Sequence, residues 1–382
     1  MKKPEIKGLR TWIEINRNAI RHNFLVFRSI IHKKSKFMAV IKSNAYGHSL
    51  IDFAREMEKL GADFLGVDSI VEGLALRKEG INSPILVLGY TLPEMVALAA
   101  DNNISLSVST FESLKKIIDN QSHFLKPLNI HIKVDTGMHR QGFLLEDRKK
   151  VLEILSSQKN KTLRVEGLFT HFASAKNPSF PEDTKKQIED FKSWVDEFKR
   201  KGMKPIAHAA ATAGALIFPD SHFDMVRVGI GLYGLWPSRE AKAFLENKIS
   251  LLPVLSWKSI ITEIKKHPKG SRVGYDFTES LSRDSLVAVV PVGYWHGYPR
   301  SLSSLGKMLV NGKECKVLGR VSMDMICIDV SEVKNPHIGD EVVVIGDDSD
   351  SSCSMEGISN ILDLSWYETV TRINPLIKRI YL

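Results

Sequence analysis

Short apolar runs of strand length recur through the first two-thirds of the chain. They are FMAVI (from Phe37), FLGV (Phe64), ILVLG (Ile85), ISLSV (Ile104), LNIHIKV (Leu128), LRVEGLF (Leu163), IAHAA (Ile206) and MVRVGIGLYG (Met225). Most are continuously apolar rather than alternating, the pattern of strands covered on both faces. Helical spacing fills the intervals. Leu50, Phe53, Ala54 and Met57 share one face of His48–Lys59, and Val71, Leu74 and Leu76 recur within Ser69–Lys78. In Pro181–Lys201 the residues Ile188, Phe191, Trp194, Val195 and Phe198 form one stripe, with charges opposite. At that spacing Phe191 and Trp194 read as helix core rather than as an aromatic box for a cofactor. Eight strands alternating with helices predict an α/β fold, a (β/α)8 TIM-type barrel. No GxGxxG follows the first strand, which argues against a dinucleotide-binding doubly wound sheet. Barrel chemistry sits at the C-terminal strand ends, and Lys42, Arg140, His171, Thr212 and Arg227 each follow or end a strand.

After about Leu251 the texture changes. ITEIKKH, LVAVVPVG, KMLVNGKECKVLGRV, MICIDV and DEVVVIG are β-rich, with the turn signals NGK and IGDD among them. Two domains are therefore expected: a barrel over residues 12–250 and a mostly antiparallel β domain over 251–382. The strand TWIEI either joins the second domain or starts the first, and residues 1–11 are candidates to pack with the β domain. GDDSDSSCS (from Gly346) reads as a polar loop.

Composition narrows the function classes. The chain is 43% hydrophobic and 25% charged, as soluble globular proteins are. Its formal charge of +9 comes from scattered lysines and arginines. No basic stripe interleaves with aromatics, so nucleic-acid binding is not expected, whereas anionic small molecules are favoured by steering. Cys315, Cys327 and Cys353 form neither a CxxC nor a ligand spacing, so no disulfide framework and no metal site are expected. The first residues lack an apolar targeting core and no long apolar span occurs. These features lead us to expect a cytoplasmic, non-membrane protein.

The candidate chemistry starts in AVIKSNAYGH. Alone, Lys42 is an ordinary strand-end charge. The loop after it adds a phenol, a glycine and the N-terminus of the next helix, groups that can hold an anion. This string resembles the lysine motif of the alanine racemase family, fold-type III enzymes that use pyridoxal phosphate (PLP). The resemblance continues in order through nearly the whole chain. HIKVDTGMHRQGF (from His131), VEGLFTHFASA (Val165), FDMVRVGIGLYG (Phe223), VGYD (Val273), PVGYWHGYPR (Pro291) and GRVSMD (Gly319) each resemble a family motif.

The resemblance implies a role for each matching residue. Lys42 carries the PLP aldehyde and is one catalytic base. Tyr275, from the other subunit of a homodimer, is the second base on the opposite face, and His171 is its candidate neighbour. A phenol with a reference pKa of about 10 needs such help to serve as a base. Arg227 donates to the pyridine nitrogen; because arginine does not give up its proton, the ring remains a restrained electron sink. Tyr46, Thr212, the backbone of Gly229 and Ile230, and Tyr367 hold the phosphate. Arg140 lies near the phenolic oxygen, and Lys133 matches a lysine that is often carbamylated in the family. Across the dimer, Met323 and Asp324 correspond to substrate-carboxylate and entrance residues, and Tyr294 with Tyr367 corresponds to the entrance gate. The expected reaction interconverts L- and D-alanine, which in a bacterium supplies D-alanine for peptidoglycan.

Four positions depart from the family pattern. HAAATAG puts Ala211 where asparagine is common and Thr212 where serine is. His296 and Lys176 replace aspartates. A racemase for serine, lysine or a broader set remains open at this level. A fold-type III decarboxylase lacks its expected glycine-rich phosphate loop here. A non-catalytic PLP-binding protein would lack the β domain that carries Tyr275.

Overall fold

The computed structural model of the 382-residue chain describes residues 6–157, 162–346 and 352–382. The chain forms two compact units. One contains Arg21–Ala45 and Leu50–Leu251. The other contains the described residues up to Ile20, the short stretch Tyr46–Ser49, and Leu252–Leu382.

After β1 (Thr11–Ile15), each of the eight apolar runs becomes one strand of the first unit. These are β2 (Lys36–Val40), β3 (Phe64–Val67), β4 (Ile85–Val87), β5 (Ile104–Val108), β6 (Leu128–Lys133), β7 (Leu163–Phe169), β8 (Ile206–His208) and β9 (Met225–Val228). All neighbouring pairs are parallel, and β9 pairs with β2, in the order β8-β7-β6-β5-β4-β3-β2-β9. The remaining seam, between β8 and β9, is spanned by single backbone bonds. Asp224 N–H donates to Ala207 O and Arg227 N–H to Ala210 O, each at 2.9 Å. The result is the expected barrel. β3, β4 and β9 are buried at every position, as their uninterrupted apolar sequences require.

The barrel interior is divided in character. Met38, Phe64, Leu86 and Met225 form an apolar knot, with Leu88 and Ile206 against it. On the side of β6 to β9, His131, Glu166, His208 and Arg227 are hydrogen-bonded to one another. The helix Glu182–Arg200 buries Ile188, Phe191, Trp194, Val195 and Phe198, the stripe read from the sequence. The helix expected from His48 begins instead at Leu50, because Ser49 itself takes a positive φ of 82°.

The second unit carries β10 (Leu255–Ile260), β11 (Glu263–His267), β12 (Arg272–Val273), β13 (Glu279–Ser280), β14 (Ser285–Val290), β15 (Lys307–Val310), β16 (Lys313–Leu318), β17 (Ile326–Asp329), β18 (Glu341–Ile345) and β19 (Arg379–Tyr381). Its main sheet runs β11-β14-β17-β16-β15-β18-β10-β1-β19, antiparallel except for β1 with β19. TWIEI, whose placement the sequence left open, is β1 of this sheet. It pairs with β10 from Thr11↔Ser259 to Ile15↔Leu255. The indole of the buried Trp257 donates to Thr11 Oγ1 at 2.7 Å. Of the polar loop expected from Gly346, residues 347–351 lie outside the described residues.

Candidate active site

Lys42 follows β2 by two residues. Its Nζ lies 3.3 Å from Asp68 Oδ1, and the side chain keeps 39% of its exposure. The next four residues form a left-handed turn, with φ of 56, 56, 51 and 52° at Ser43, Asn44, Ala45 and Tyr46. That conformation costs L-residues about 1–2 kcal/mol each, so surrounding bonds must impose it. Ala45 N–H donates to Ile41 O at 2.8 Å, Asn44 N–H to Glu72 Oε1 at 3.1 Å, and Leu50 N–H to Asn44 Oδ1 at 2.9 Å. The other oxygen of Glu72 accepts from Asp68 N–H at 2.9 Å. One carboxylate therefore fixes both the turn after Lys42 and the residue that pairs with Lys42. The sequence singled out neither Asp68 nor Glu72; DSIVEGL reads as a plain helix start.

Arg227, the third residue of β9, is 3% exposed. Its Nη1 donates to His208 Nδ1 (3.0 Å) and His208 O (2.9 Å). Its Nη2 donates to Thr170 O (2.7 Å) and Ala209 O (2.9 Å), with His171 Nδ1 at 3.3 Å. The four terminal hydrogens are thus engaged, and only Nε–H lies outside these bonds. Burial lowers the guanidinium to about 9, which leaves it charged at neutral pH. His171 follows β7 by two residues. Burial first, then Arg227, Arg140, Lys133 and Lys42, bring it down to about 3, so its imidazole is neutral. With Nδ1 accepting from Arg227, its proton is on Nε2.

Lys133 ends β6 and donates to Gln141 Oε1 at 2.8 Å. Burial, followed by Arg140, Arg227 and Lys42, pulls the amine to about 8. Two of these cations lie near the Phe169 ring, Lys133 Nζ at 5.5 Å and Arg227 Cζ at 5.4 Å from its centre. Arg140 is exposed on the loop after β6. Asp135 Oδ1 braces that loop by accepting from the N–H groups of Gly137, Met138 and His139.

Thr212 opens the helix Thr212–Ile217 and is buried, and its Oγ1 accepts from Gly229 N–H at 3.1 Å. Ala211 occupies the N-cap and, lacking a polar side chain, makes no capping bond. Ile230 starts a short 3-10 turn, Ile230–Tyr233, whose first N–H groups have no partner within it. Lys176 takes part through its backbone, accepting from Ser238 Oγ at 2.7 Å. The barrel therefore gathers Lys42, Lys133, Arg140, His171 and Arg227 into one electrostatic neighbourhood, with Thr212, Gly229 and Ile230 in a second cluster of β9 and the helix after β8.

The second unit holds the other sequence candidates. Tyr46 and Tyr367 face each other with ring centres 6.1 Å apart, and burial, helped by Tyr46, raises the Tyr367 phenol. Gly47 admits no side chain, since a Cβ there would lie 2.6 Å from Val370 O. Tyr294 and Met323 are brought together because Tyr294 N–H donates to Ser322 O (3.0 Å) and Trp295 N–H to Met323 O (3.1 Å). Asp324 lies beside them, and His296 Nδ1 is 4.0 Å from it. His296 is buried, and the same Nδ1 accepts from Gly293 N–H at 3.2 Å, so the histidine in place of the family aspartate has a definite partner. Tyr275 is not a packed strand tyrosine. It follows β12 in a turn and is 69% exposed, and the turn is fixed by an Arg320–Asp276 ion pair of 2.8 Å.

A (β/α)8 barrel whose strand ends collect an amine, a neutral imidazole and further cations has the build of a barrel enzyme for an anionic small molecule. Residues 15–237 match the family model described as alanine racemase, N-terminal domain, and residues 254–381 the one described as alanine racemase, C-terminal domain. Among its relatives, alanine racemase 1 of Oceanobacillus iheyensis is 37% identical over 97% of each chain. Alanine racemase 2 of Bacillus subtilis is 40% identical over 97% of this chain and 94% of its own. The solved alanine racemase of Clostridium difficile 630 superposes with a TM-score of 0.92 at 32% identity, over 98% of this chain and 96% of its own. The chain belongs to the alanine racemase family. No helix among the described residues is long and apolar enough to cross a membrane.

Proposed function

We propose that this protein is a cytoplasmic homodimer that interconverts L- and D-alanine with PLP, using Lys42 and the partner subunit's Tyr275 as the two bases, and so supplies D-alanine for peptidoglycan. The observation that carries this reading is the buried Arg227 guanidinium beside a neutral His171, in a barrel that also presents Lys42, Lys133 and Arg140.

The residues present fit PLP. Mutual repulsion among the cations is visible at Lys133, which Arg140, Arg227 and Lys42 all push down. A phosphate and a phenolic oxygen offset that excess charge. Thr212, the N–H groups of Gly229 and Ile230, and the hydroxyls of Tyr46 and Tyr367 would hold the phosphate. Arg140 would lie by the phenolic oxygen, and Lys42 would anchor the aldehyde carbon. When bound, PLP supplies an electron sink for the pair left at Cα when its proton departs.

The chain's own residues then do the following. Lys42 Nζ takes or returns the proton on one face of Cα, and the partner subunit's Tyr275 does so on the other. Arg227 can direct its remaining Nε–H at the ring nitrogen; being a donor that does not ionise, it offers a hydrogen bond and not a proton. This restraint favours return of the proton to Cα. His171 keeps Nδ1 on Arg227, which leaves Nε2–H to donate to a phenolate. Across the dimer, Met323 and Asp324 would serve as substrate-carboxylate and entrance residues, with Tyr294 and Tyr367 narrowing the entrance.

The test is incubation of PLP-loaded protein with L-alanine in heavy water, followed by chiral analysis, beside L-serine, L-lysine and L-glutamate. Deuterated D-alanine is expected to form fastest. Exchange without inversion would remove Tyr275 from its role. Absence of exchange with any amino acid, while PLP is bound, would overturn the reading.

A further inference from the structure

Behind Arg227 the barrel interior contains a continuous polar file. Arg227 Nη1 contacts His208 Nδ1 at 3.0 Å, His208 Nε2 contacts His131 Nδ1 at 2.8 Å, and His131 Nε2 contacts Glu166 Oε2 at 3.0 Å. Both imidazoles are fully buried, while the Glu166 side chain keeps 23% exposure. Two further donors meet the carboxylate, Ser105 Oγ at 2.6 Å and Asn129 Nδ2 at 3.3 Å. Ser105 and Asn129 are each the second residue of their strands, so the file climbs from the barrel floor to Arg227 near its mouth.

The two ends fix the direction of every bond between them. A guanidinium only donates and a carboxylate only accepts. His208 Nδ1 must therefore carry a lone pair, which puts the His208 proton on Nε2. That proton points at His131 Nδ1, so the His131 proton is also on Nε2 and points at Glu166. A proton on His131 Nδ1 would force one onto His208 Nδ1, against Arg227. Burial agrees, since it pulls His208 well below its ordinary value. Glu166 is lowered despite its own burial by the bonds from His131 and Ser105.

The sequence is built around this file. Gly167 sits opposite His131 in the β6–β7 register, and a Cβ there would lie 2.0 Å from His131 Nδ1. Phe169 stacks on His208 with centroids 4.8 Å apart and planes 4° from parallel. A histidine–histidine–glutamate file with a glycine cleared beside it is an expensive way to fill a barrel that apolar side chains would fill more simply.

We infer that His208, His131 and Glu166 are positioning residues that hold Arg227 through a one-way hydrogen-bond relay, with Glu166 as the distant counter-charge for a guanidinium that pairs with no carboxylate among the described residues. The inference rests on the proposed role of Arg227 toward the ring nitrogen. With a pure donor at one end and a pure acceptor at the other, each ring carries one proton on a defined nitrogen and Nη1 is fixed, so Nε–H keeps one direction.

The test uses protein labelled with nitrogen-15 at histidine, without cofactor, so that it reads the relay independently of catalysis. Both His131 and His208 are expected as neutral Nε2–H tautomers at neutral pH. In Glu166→Gln the amide oxygen can still accept from His131, so both tautomers are kept, but the counter-charge is lost. With PLP bound, kcat for alanine is expected to fall about tenfold or more, the scale on which outer partners of an active group act. An Nδ1–H or doubly protonated ring in the unaltered protein overturns the relay, as does Glu166→Gln with kcat unchanged. If that variant does not fold, the spectrum of the unaltered protein decides. A protein that shows the expected tautomers but racemises no amino acid retains the relay and loses the proposed function instead.

Discussion

The Nδ1 of His171 accepts from Nη2 of Arg227 at 3.3 Å, so a buried cation holds this imidazole in its neutral form. The consequence is a pH dependence of stability. His171 titrates at 6.5 by reference and at about 3 in the fold. Between those values the unfolded chain binds more protons, so the contribution is complete above the upper value and is lost as pH falls toward the lower. From His171 alone the loss between about pH 7 and about pH 5 is about 1–2 kcal/mol. His208 and Glu166 are lowered too and act with the same sign, Glu166 nearer its carboxylate range. Urea unfolding of the apoprotein across this range should show a falling midpoint. A flat profile would contradict the neutral imidazoles.

Arg227→Lys should not be a mild change. The guanidinium reaches five acceptors through two nitrogens, and an ammonium has three donors, so at least two acceptors lose theirs. At about 1–3 kcal/mol for each orphaned buried group, the apoprotein should lose about 2–6 kcal/mol. Equilibrium unfolding measures this directly, and a loss within about 0.5 kcal/mol would mean that the bonds carry little.

Tyr275→Phe separates stability from chemistry. The ring is 69% exposed, so unfolding free energy should move by no more than about 0.5 kcal/mol. Racemisation should fall about a hundred-fold or more, the usual contribution of a positioned acid–base group. Undiminished activity of the variant on both enantiomers would exclude Tyr275 as a base.

Lys133 should react with carbon dioxide. Its amine sits at about 8, so an appreciable neutral fraction exists near physiological pH. The neutral nitrogen adds to the carbon of CO2 and releases one proton, leaving a carbamate anion among the cations that had depressed it. Under carbon-13-labelled CO2 a carbamate resonance should appear, strengthen from about pH 7 to about pH 9, and vanish in Lys133→Met. If the resonance persists in that variant, another amine is responsible.

The sequence by itself determined the eight barrel strands, because runs such as FLGV and ILV must be covered on both faces wherever they lie. The helix Glu182–Arg200 was equally legible, since its stripe fits only a helical period. Lys42, Arg227 and Tyr275 stood out through motif order, which needs no coordinates. Tertiary structure alone decided the partner of β1, because TWIEI satisfies either sheet until β10 and β19 flank it. It alone made the loop SNAY a left-handed turn, since Glu72, far along the chain, supplies a bond that holds it. The relay was hidden for the same reason. His131, Glu166 and His208 look like isolated polar interruptions in three separate strands, and only barrel closure places them within hydrogen-bond distance and fixes which nitrogen carries each proton.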